Sequence, residues 1–280
     1  MKGKTVVATG ATSGIGEQAV LALARMGARI VFVARDEKRA EATLDKLESV
    51  APRLRHGVHL ADLSSMAETR RVGLLIAKSE PRVDVLINNA GAMFADRRVT
   101  AEGLELTFAL NHMAYFLMTA ALDERLAASA PARVVSTSSI AHQGMNLDFS
   151  DLQSEKGYNG WRAYGRSKLA NILFTREAAR RLASVGVTAN CFHPGFVASR
   201  FGSASGGWTS RLLPLARTFA IPPEQGADTL VYLASSPEVA HVTGAYFVKR
   251  KAVQPSAAAR DDAAARKLWE ASEALAKPFL

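Results

Sequence analysis

The sequence predicts a single α/β domain built on a doubly wound parallel sheet with helices on both faces. Short runs of β-branched and other apolar residues alternate with longer segments of helical period, which is the order of βαβ units. The runs are apolar on both faces, as expected when helices cover each side of a parallel sheet. A chain of 280 residues, of which 48% are hydrophobic, can bury one sizeable core. We therefore expect one domain over residues 1–280.

The strands and helices of this domain follow from the same alternation. Five strands are recognised directly from their residues, and they are Thr5–Ala8, Arg29–Ala34, Val83–Ile87, Arg133–Ser136 and Val187–Phe192. Another strand, third in the chain, should end just before Asp62. Helical periodicity is clear over Gly16–Arg25 and Ala101–Ala128, and Ser64–Lys78 is also expected to be helical.

Two segments near the end of the chain stand apart from this alternation. The run Gly202–Gly207 is rich in glycine and serine, and apolar side chains follow it, so we expect 200–222 to be an insertion. It suits a lid over an apolar substrate, and a contact with a neighbouring subunit fits it equally well. The tail, 255–280, is rich in alanine and charged residues and is predicted to form one surface helix.

Charge and cysteine content exclude several classes of protein. Lysine and arginine exceed the acidic residues by 35 to 26, but they are scattered, so we do not expect a nucleic-acid partner. Cys191 is the only cysteine, which rules out an internal disulfide and a cysteine-based zinc site. His142 and His193 have no partners at ligand spacing. We expect hydrogen bonding from both histidines and no metal.

The first residues and the apolar runs bear on location. The chain enters a predicted strand at Thr5, which leaves no room for a signal peptide. No apolar run approaches the roughly 20 residues that a membrane-spanning helix needs. We therefore expect no membrane anchor and a cytoplasmic location.

The first predicted strand leads into a glycine-rich turn, Gly10–Gly16, which reads Gly-Ala-Thr-Ser-Gly-Ile-Gly. Glycine lets the backbone turn sharply and approach a phosphate, while N–H groups and the positive end of the following helix face the negative charge. The order of strand, glycine turn and helix predicts a dinucleotide site in a Rossmann-type sheet. A plain strand-to-helix turn is the alternative.

The residue after the second strand bears on which dinucleotide binds. An NAD enzyme usually offers a carboxylate to the adenosine ribose at this point, but the strand ends in Ala34 and continues with Arg35. A guanidinium suits a 2′-phosphate, so the sequence favours NADP(H). Alternatively, Arg35 is an ordinary solvated residue and Asp36 binds the ribose. Asp62 and Leu63 follow the third strand and should meet the adenine, although Asp62 could instead cap a helix.

The fourth strand ends in Asn88-Asn89-Ala90-Gly91. The carboxyl edge of an open α/β sheet carries the ligand, so Asn89, Ala90 and Gly91 are expected against the cofactor. A turn stabilised by asparagine side chains is the alternative, and it suits Asn88 in any case.

Tyr164 and Lys168 lie about one helical turn apart, so their side chains share a face. A phenol titrates near pH 10 and is a poor base at neutral pH. A neighbouring ammonium favours the phenolate, which makes the pair a candidate general acid and base.

Two polar residues are candidates to accompany this pair. Ser139 ends the serine-rich run after the fifth strand and could hold a substrate oxygen, although such a run also begins ordinary loops. Asn111 lies in an apolar helical stretch, where a buried amide could bend the helix and hold a water. A plain core polar residue is the alternative for Asn111.

Together these motifs resemble the short-chain dehydrogenase/reductase family over almost the whole chain. The resemblance implies a catalytic tetrad of Asn111, Ser139, Tyr164 and Lys168, and a nicotinamide-binding segment at Pro194–Ser199. In that segment Ser199 replaces the family's threonine. The cofactor-binding residues that result are Gly10, Thr12, Ser13, Gly14, Ile15, Gly16, Arg35, Asp62, Leu63, Asn89, Ala90, Gly91, Tyr164, Lys168, Pro194, Gly195, Val197 and Ser199.

Within the family, the segments 139–142 and 164–171 are similar to the retinol-dehydrogenase-like and protochlorophyllide-reductase-like branch. The implied function is NADP(H)-dependent hydride transfer between nicotinamide and a carbonyl or alcohol of an apolar small molecule. Tyr164 would exchange the proton, Lys168 would lower the pKa of Tyr164 and bind the nicotinamide ribose, and Asn111 would support a water. Reduction of a conjugated C=C bond and a non-catalytic dinucleotide-binding regulator are the alternatives. The family also implies a homodimer or homotetramer.

Overall fold

Eight strands form one sheet in the part of the chain that the computed structural model describes, residues 1–196 and 221–279. In chain order they are β1 (Thr5–Thr9), β2 (Arg29–Ala34), β3 (Gly57–Leu60), β4 (Val85–Asn88), β5 (Ala132–Thr137), β6 (Val187–His193), β7 (Tyr246–Val248) and β8 (Lys251–Val253). Their spatial order is β3-β2-β1-β4-β5-β6-β7-β8, and every pair is parallel except β7 with β8. The chain reverses its direction of travel between β1 and β4. A crevice for a ligand is expected there, at the carboxyl ends of the strands.

Helices cover both faces of this sheet. The described helices are α1 (Gly14–Arg25), α2 (Glu37–Val50), α3 (Met66–Ser79), α4 (Leu106–Phe108), α5 (Ala114–Ala121), α6 (Asp123–Ala128), α7 (Gly160–Leu182), α8 (Pro223–Ser235) and α9 (Asp262–Ala276). Among these, α1, α2 and α8 pack on one face, and α3, α5, α7 and α9 pack on the other. The fold class predicted from the sequence, a single doubly wound α/β domain, is confirmed.

The buried strands explain why the sequence shows runs of apolar residues rather than alternation. Neighbouring residues of a strand point to opposite faces, and both faces are covered: Val6 joins the core on one side of the sheet and Val7 the core on the other. All five residues of β1 are buried.

The long helix predicted over Ala101–Ala128 is divided in the structure. Its first residues are not helical, and a π-helical turn, Ala109–Met113, joins α4 to α5 before α6 begins separately. A π turn places one extra residue in the helix and commonly marks a functional site. Asn111 lies in this turn, so the expected distortion of the helix at the buried amide is present.

The end of the chain also differs from its prediction. Helix α9 covers only Asp262–Ala276 of the predicted tail helix, and the strands β7 and β8 before it were not predicted. One side of α9 is buried, and Trp269 stacks on Phe174 of α7 with ring centroids 5.7 Å apart. The predicted insertion, 200–222, lies outside the described residues except for Ile221 and Pro222.

None of the helices in residues 1–196 and 221–279 combines the length and the apolar character that crossing a membrane requires.

Candidate active site

The glycine turn after β1 is closely packed against the end of β4. Gly10 has a φ of +66°, which favours glycine, and a Cβ there would lie 2.8 Å from the backbone of Ala90. A Cβ on Gly16 would collide with the Gly10 carbonyl oxygen. Side chains at these two positions would therefore separate the turn from β4.

Side chains at the strand ends hold this turn in place. Asn89 donates from Nδ2 to the Gly10 carbonyl at 3.0 Å and accepts at Oδ1 from the Thr137 hydroxyl at 2.9 Å. The Thr9 hydroxyl accepts from the N–H groups of Asn89 and Ala90 at 2.9 and 3.1 Å. The Asn89 amide thus joins the ends of β1, β4 and β5. Thr9 and Thr137 were not among the residues predicted from the sequence, although both end strands at the carboxyl edge.

Helix α1 begins differently from its neighbours. Asp36 and Ser65 cap α2 and α3 by accepting hydrogen bonds from backbone N–H groups, whereas Ser13, within the part of the chain that the structure describes, makes no side-chain cap for α1. The N–H groups of the first turn of α1 therefore lack a side-chain cap and are suited to a negatively charged group.

Tyr164 and Lys168 both lie on α7 with almost no exposure to solvent. The Lys168 ammonium donates to the Thr137 carbonyl at 3.3 Å, and it lies 5.5 Å from the centroid of the Tyr164 ring and 5.8 Å from that of Tyr115. Aromatic faces attract a cation, which partly offsets the cost of burying it. The side chains therefore share one face of the helix, beneath the end of β5.

Ser139, rather than Ser138, meets Tyr164. The hydroxyls of Ser139 and Tyr164 share a hydrogen bond, whereas the Ser138 hydroxyl donates to the Lys168 carbonyl at 2.8 Å and is buried. Gly165 allows this approach, because a Cβ there would lie 2.6 Å from the Ala141 carbonyl oxygen in the Ser139 loop. Gly165 was not predicted as a site residue, although a glycine inside a helix is a recognisable signal of close packing.

Burial controls the protonation of the pair. Burial raises the pKa of Tyr164 above its usual range, and the hydrogen bond from Ser139 opposes that rise. Burial lowers the pKa of Lys168 from 10.5 to about 7. The sequence predicts that Lys168 lowers the pKa of Tyr164, whereas burial, the largest cause of the shift, raises it.

The Asn111 side chain is fully engaged with the protein. Its Oδ1 accepts from the Ala92 N–H at 2.9 Å, and its Nδ2 donates to the Ala92 carbonyl and the Ser167 hydroxyl, both at 2.9 Å. A Cβ on Gly91 would lie 3.0 Å from Asn111 Oδ1 and 3.4 Å from Lys168 Nζ, so these groups surround Gly91. Asn111 thus fixes the segment that follows β4.

The residues predicted to meet the adenosine follow the ends of β2 and β3. Arg35 is exposed, and one of its terminal nitrogens lies 3.9 Å from Asp62. Asp36 caps α2 by accepting from the Arg39 N–H at 2.9 Å. Asp62 accepts from the N–H and hydroxyl of Ser64, while Ser65 is the cap of α3, so Asp62 is not its N-cap. The Leu63 side chain is buried in the core, which leaves only its backbone for a ligand.

The segment after β6 is described only in part. Pro194 and Gly195 are half-buried at the sheet edge, and Gly195 has a φ of +89°. Val197 and Ser199 lie outside the described residues. In the described chain, no group of three or more His, Cys, Asp or Glu is arranged to hold a metal ion.

A family model for short chain dehydrogenases matches residues 4–208. The chain belongs to the short-chain dehydrogenase family. Enzymes of this family are oxidoreductases that bind a nicotinamide dinucleotide, so the predicted family and reaction class are confirmed.

Named relatives place this short-chain dehydrogenase in the retinol-dehydrogenase-like branch. Human retinol dehydrogenase 13 is 41% identical, with 98% of this chain and 84% of the relative covered. Mouse retinol dehydrogenase 14 is 40% identical over 98% of this chain and 86% of its own. A bovine protein named dehydrogenase/reductase SDR family member 13 is 42% identical over 99% and 74%.

Solved structures resemble this short-chain dehydrogenase along most of its length. A crystal structure of an uncharacterised protein from Mycobacterium paratuberculosis has a TM-score of 0.78 at 30% identity, and covers 99% of this chain and 94% of its own. A Pseudomonas aeruginosa RhlG/NADP active-site complex has a TM-score of 0.69 at 28% identity, covering 88% and 94%.

Proposed function

We propose that this chain is an NADP(H)-dependent oxidoreductase that interconverts the carbonyl and alcohol forms of an apolar small molecule. The observation that carries the proposal is the constellation of the buried pair Tyr164 and Lys168 together with the half-buried Ser139, which is hydrogen-bonded to Tyr164. A proton donor, an oxygen-binding hydroxyl and a cation meet there at the edge of the sheet where ligands bind in open α/β folds.

The residues at this edge fit a dinucleotide. The glycine turn and the first turn of α1, which lacks a side-chain cap, would hold its pyrophosphate. Lys168 Nζ would donate to the nicotinamide ribose, since an ammonium has three donors and the Thr137 carbonyl takes one. When bound, the dinucleotide would supply or accept a hydride at its nicotinamide.

Each side chain of the tetrad then has a distinct task. Tyr164, like any phenol, holds a proton at neutral pH, burial raises its pKa further, and it donates that proton to a carbonyl oxygen during reduction. Ser139 orients the same oxygen by hydrogen bonding. Asn111 acts through Ala92 and Gly91, whose positions it fixes, rather than by holding a water with its side chain.

Turnover and products test the proposed reaction. The purified protein should oxidise NADPH when ketones or aldehydes are supplied, and an α,β-unsaturated aldehyde should yield the allylic alcohol. A saturated aldehyde as product would assign the reaction to the C=C bond instead. NADPH binding without turnover of any carbonyl compound would indicate a non-catalytic regulator.

The preference for NADP(H) over NAD(H) rests on Arg35 and Asp36. Arg35 is 76% exposed and faces solvent at the end of β2, where it can meet a 2′-phosphate. The Asp36 carboxylate is committed to capping α2, so it is poorly placed to accept from a ribose 2′-hydroxyl. Both observations support NADP(H).

Replacing Arg35 with aspartate should shift the cofactor preference toward NADH. A carboxylate repels the 2′-phosphate and accepts from a 2′-hydroxyl, so we expect the kcat/KM ratio of NADPH to NADH to fall about 100-fold, or about 2.7 kcal/mol. Steady-state kinetics with both cofactors measure this ratio. Arg266→Asp, the same charge change on the exposed side of α9, is the matched control. An unchanged ratio in Arg35→Asp would remove Arg35 from the 2′-phosphate site.

An apolar substrate is supported by exposed side chains around the constellation. Ile140 follows Ser139 and is 53% exposed, while Trp161 lies one turn before Tyr164 and is 55% exposed. Phe196 follows the Pro194-Gly195 turn and is 59% exposed. The ring centroids of Trp161 and Tyr164 are 6.1 Å apart. Large apolar side chains left exposed beside polar reactive groups suit an apolar ligand.

Trp161→Ala should weaken the binding of long apolar substrates. Loss of the indole face should raise KM for a long-chain aldehyde about 10-fold while kcat changes little. The KM for a short-chain aldehyde should change much less, because such a substrate covers little of the indole. Leu74→Ala, which removes an exposed apolar side chain on α3, is the control. Equal increases in KM for both aldehydes would contradict an apolar contact at Trp161.

A further inference from the structure

Two histidines hold the loop that carries Ser139. His142 is fully buried, and its Nδ1 lies 2.7 Å from the Ser139 carbonyl oxygen. His193, at the end of β6, accepts at Nδ1 from the Ile140 N–H at 3.3 Å. The loop is thus held at Ser139, on which the proposed reaction depends, and at Ile140.

The second nitrogen of His142 determines its tautomer. His142 Nε2 accepts a hydrogen bond from the Ser256 N–H at 3.2 Å, so Nε2 carries no proton in the neutral ring. The proton therefore lies on Nδ1, which donates to the Ser139 carbonyl. The ring also packs edge-on against Tyr246 at 5.2 Å. Burial lowers the pKa of His142, and burial, with a smaller contribution from the repulsion that a protonated His142 would exert, lowers the pKa of His193 to about 4.

The other restraints on the Ser139 loop are short-range hydrogen bonds, among them one from the Ala141 N–H to the Ser139 hydroxyl at 3.2 Å. Ser139 is extended, with φ −160° and ψ 156°, and precedes a 3₁₀ turn of three residues, Ile140–His142. Its carbonyl also accepts from the His142 N–H at 3.2 Å, so the two hydrogen bonds that this oxygen accepts within the described residues both come from His142. A small rotation at Ser139 would move its hydroxyl away from Tyr164.

We propose that His142 is a positioning residue, whose Nδ1–H fixes the Ser139 carbonyl and thereby aims the Ser139 hydroxyl at the substrate oxygen. The inference rests on the proposed function, because it gives Ser139 an oxygen to orient. His142 itself touches neither substrate nor cofactor, and the Ser256 N–H acts by holding the ring in the tautomer that donates.

Two amide substitutions test the contributions of the two ring nitrogens of His142 separately. His142→Asn places an amide near the position of Nδ1 and can still donate to the Ser139 carbonyl. His142→Gln places its amide near the position of Nε2, so it can still accept from the Ser256 N–H but loses the donor to Ser139. We expect kcat to fall about 10-fold in His142→Gln and to recover to within about 3-fold of wild type in His142→Asn. The Kd for NADPH, measured by fluorescence, should be unchanged in both.

The exposed His241 supplies the matched controls, since His241→Asn and His241→Gln should have equal activities. Equal kcat values in the two His142 variants would overturn the inference, as would a higher kcat in His142→Gln than in His142→Asn. An inactive wild-type protein would instead reject the proposed function, so the two failures are distinguishable.

Ser256→Pro tests the same inference if the His142 variants do not fold. It removes the N–H that holds Nε2 as an acceptor and leaves the ring intact. We expect kcat to fall about 3-fold with unchanged NADPH affinity, because the tautomer is no longer fixed. An unchanged kcat would overturn the role of His142.

Discussion

Replacing Tyr164 with phenylalanine is expected to lower kcat by about 100- to 10,000-fold. The substitution removes only the hydroxyl, which is the group that holds the proton beside Ser139. The ring remains to pack beside Lys168 and Trp161. The loss should therefore fall on the chemical step, and the Kd for NADPH should stay within about 3-fold of wild type.

Steady-state kinetics and fluorescence titration with NADPH measure these two quantities. Tyr232→Phe is the control, because it removes a hydroxyl that donates to Glu238 at the surface. Retained turnover in Tyr164→Phe would reject the proton-transfer role. A loss of NADPH binding equal to the loss of kcat would assign Tyr164 to cofactor binding instead.

Lys168→Met should also reduce kcat about 100-fold or more, and it should raise the Kd for NADPH. Methionine fills similar space but provides neither a donor for the ribose nor a positive charge beside the phenol. Lys251→Met, on the exposed edge strand β8, is the matched control.

The same variant has an effect on stability that depends on pH. Because burial lowers the pKa of Lys168 to about 7, the unfolded chain binds more protons than the folded chain between pH 7 and 10.5. The free energy of unfolding of the wild type should rise with pH across that window, by about 1.4 kcal/mol for each unit of the pKa shift. Lys168→Met lacks this contribution.

Denaturant unfolding of both proteins at several pH values measures the difference. At pH 7 the free energy of unfolding of the wild type should be lower than that of Lys168→Met, and the difference should narrow as the pH rises toward 10. A difference in unfolding free energy that does not change with pH would mean that burial does not lower the pKa of Lys168.

The strands at the centre of the sheet could be predicted because burial on both faces makes them continuously apolar. For β2 the predicted and observed bounds agree, and β1, β5 and β6 differ by one or two residues at their ends. The short edge strands β7 and β8 were missed. Three residues give too little pattern, and all three residues of β8 are exposed.

The division of the helix over Ala101–Ala128 could not be predicted from periodicity. A π turn changes the helical period by one residue, and the apolar residues on either side conceal it. Its position matches the two hydrogen bonds between the Asn111 side chain and the backbone of Ala92, a residue 19 positions earlier in the chain. The sequence indicated an unusual amide at this position but not its partner.

Local spacing identified the candidate site better than it identified the contacts within it. Tyr164 and Lys168 could be paired because they lie on one helix. The roles of Thr9 and Thr137 depend on β1, β4 and β5 being neighbours, which is set by the order of the whole sheet. The raised pKa of Tyr164 likewise follows from burial beneath several elements, which no local pattern reports.

A crystal structure of the protein with NADP⁺ bound tests the central claim most directly. We expect the pyrophosphate at the first turn of α1, the 2′-phosphate beside Arg35, the nicotinamide ribose in contact with Lys168 Nζ, and the Tyr164 hydroxyl facing the nicotinamide. A dinucleotide bound elsewhere, or a Tyr164 hydroxyl directed away from the nicotinamide ring, would contradict the account.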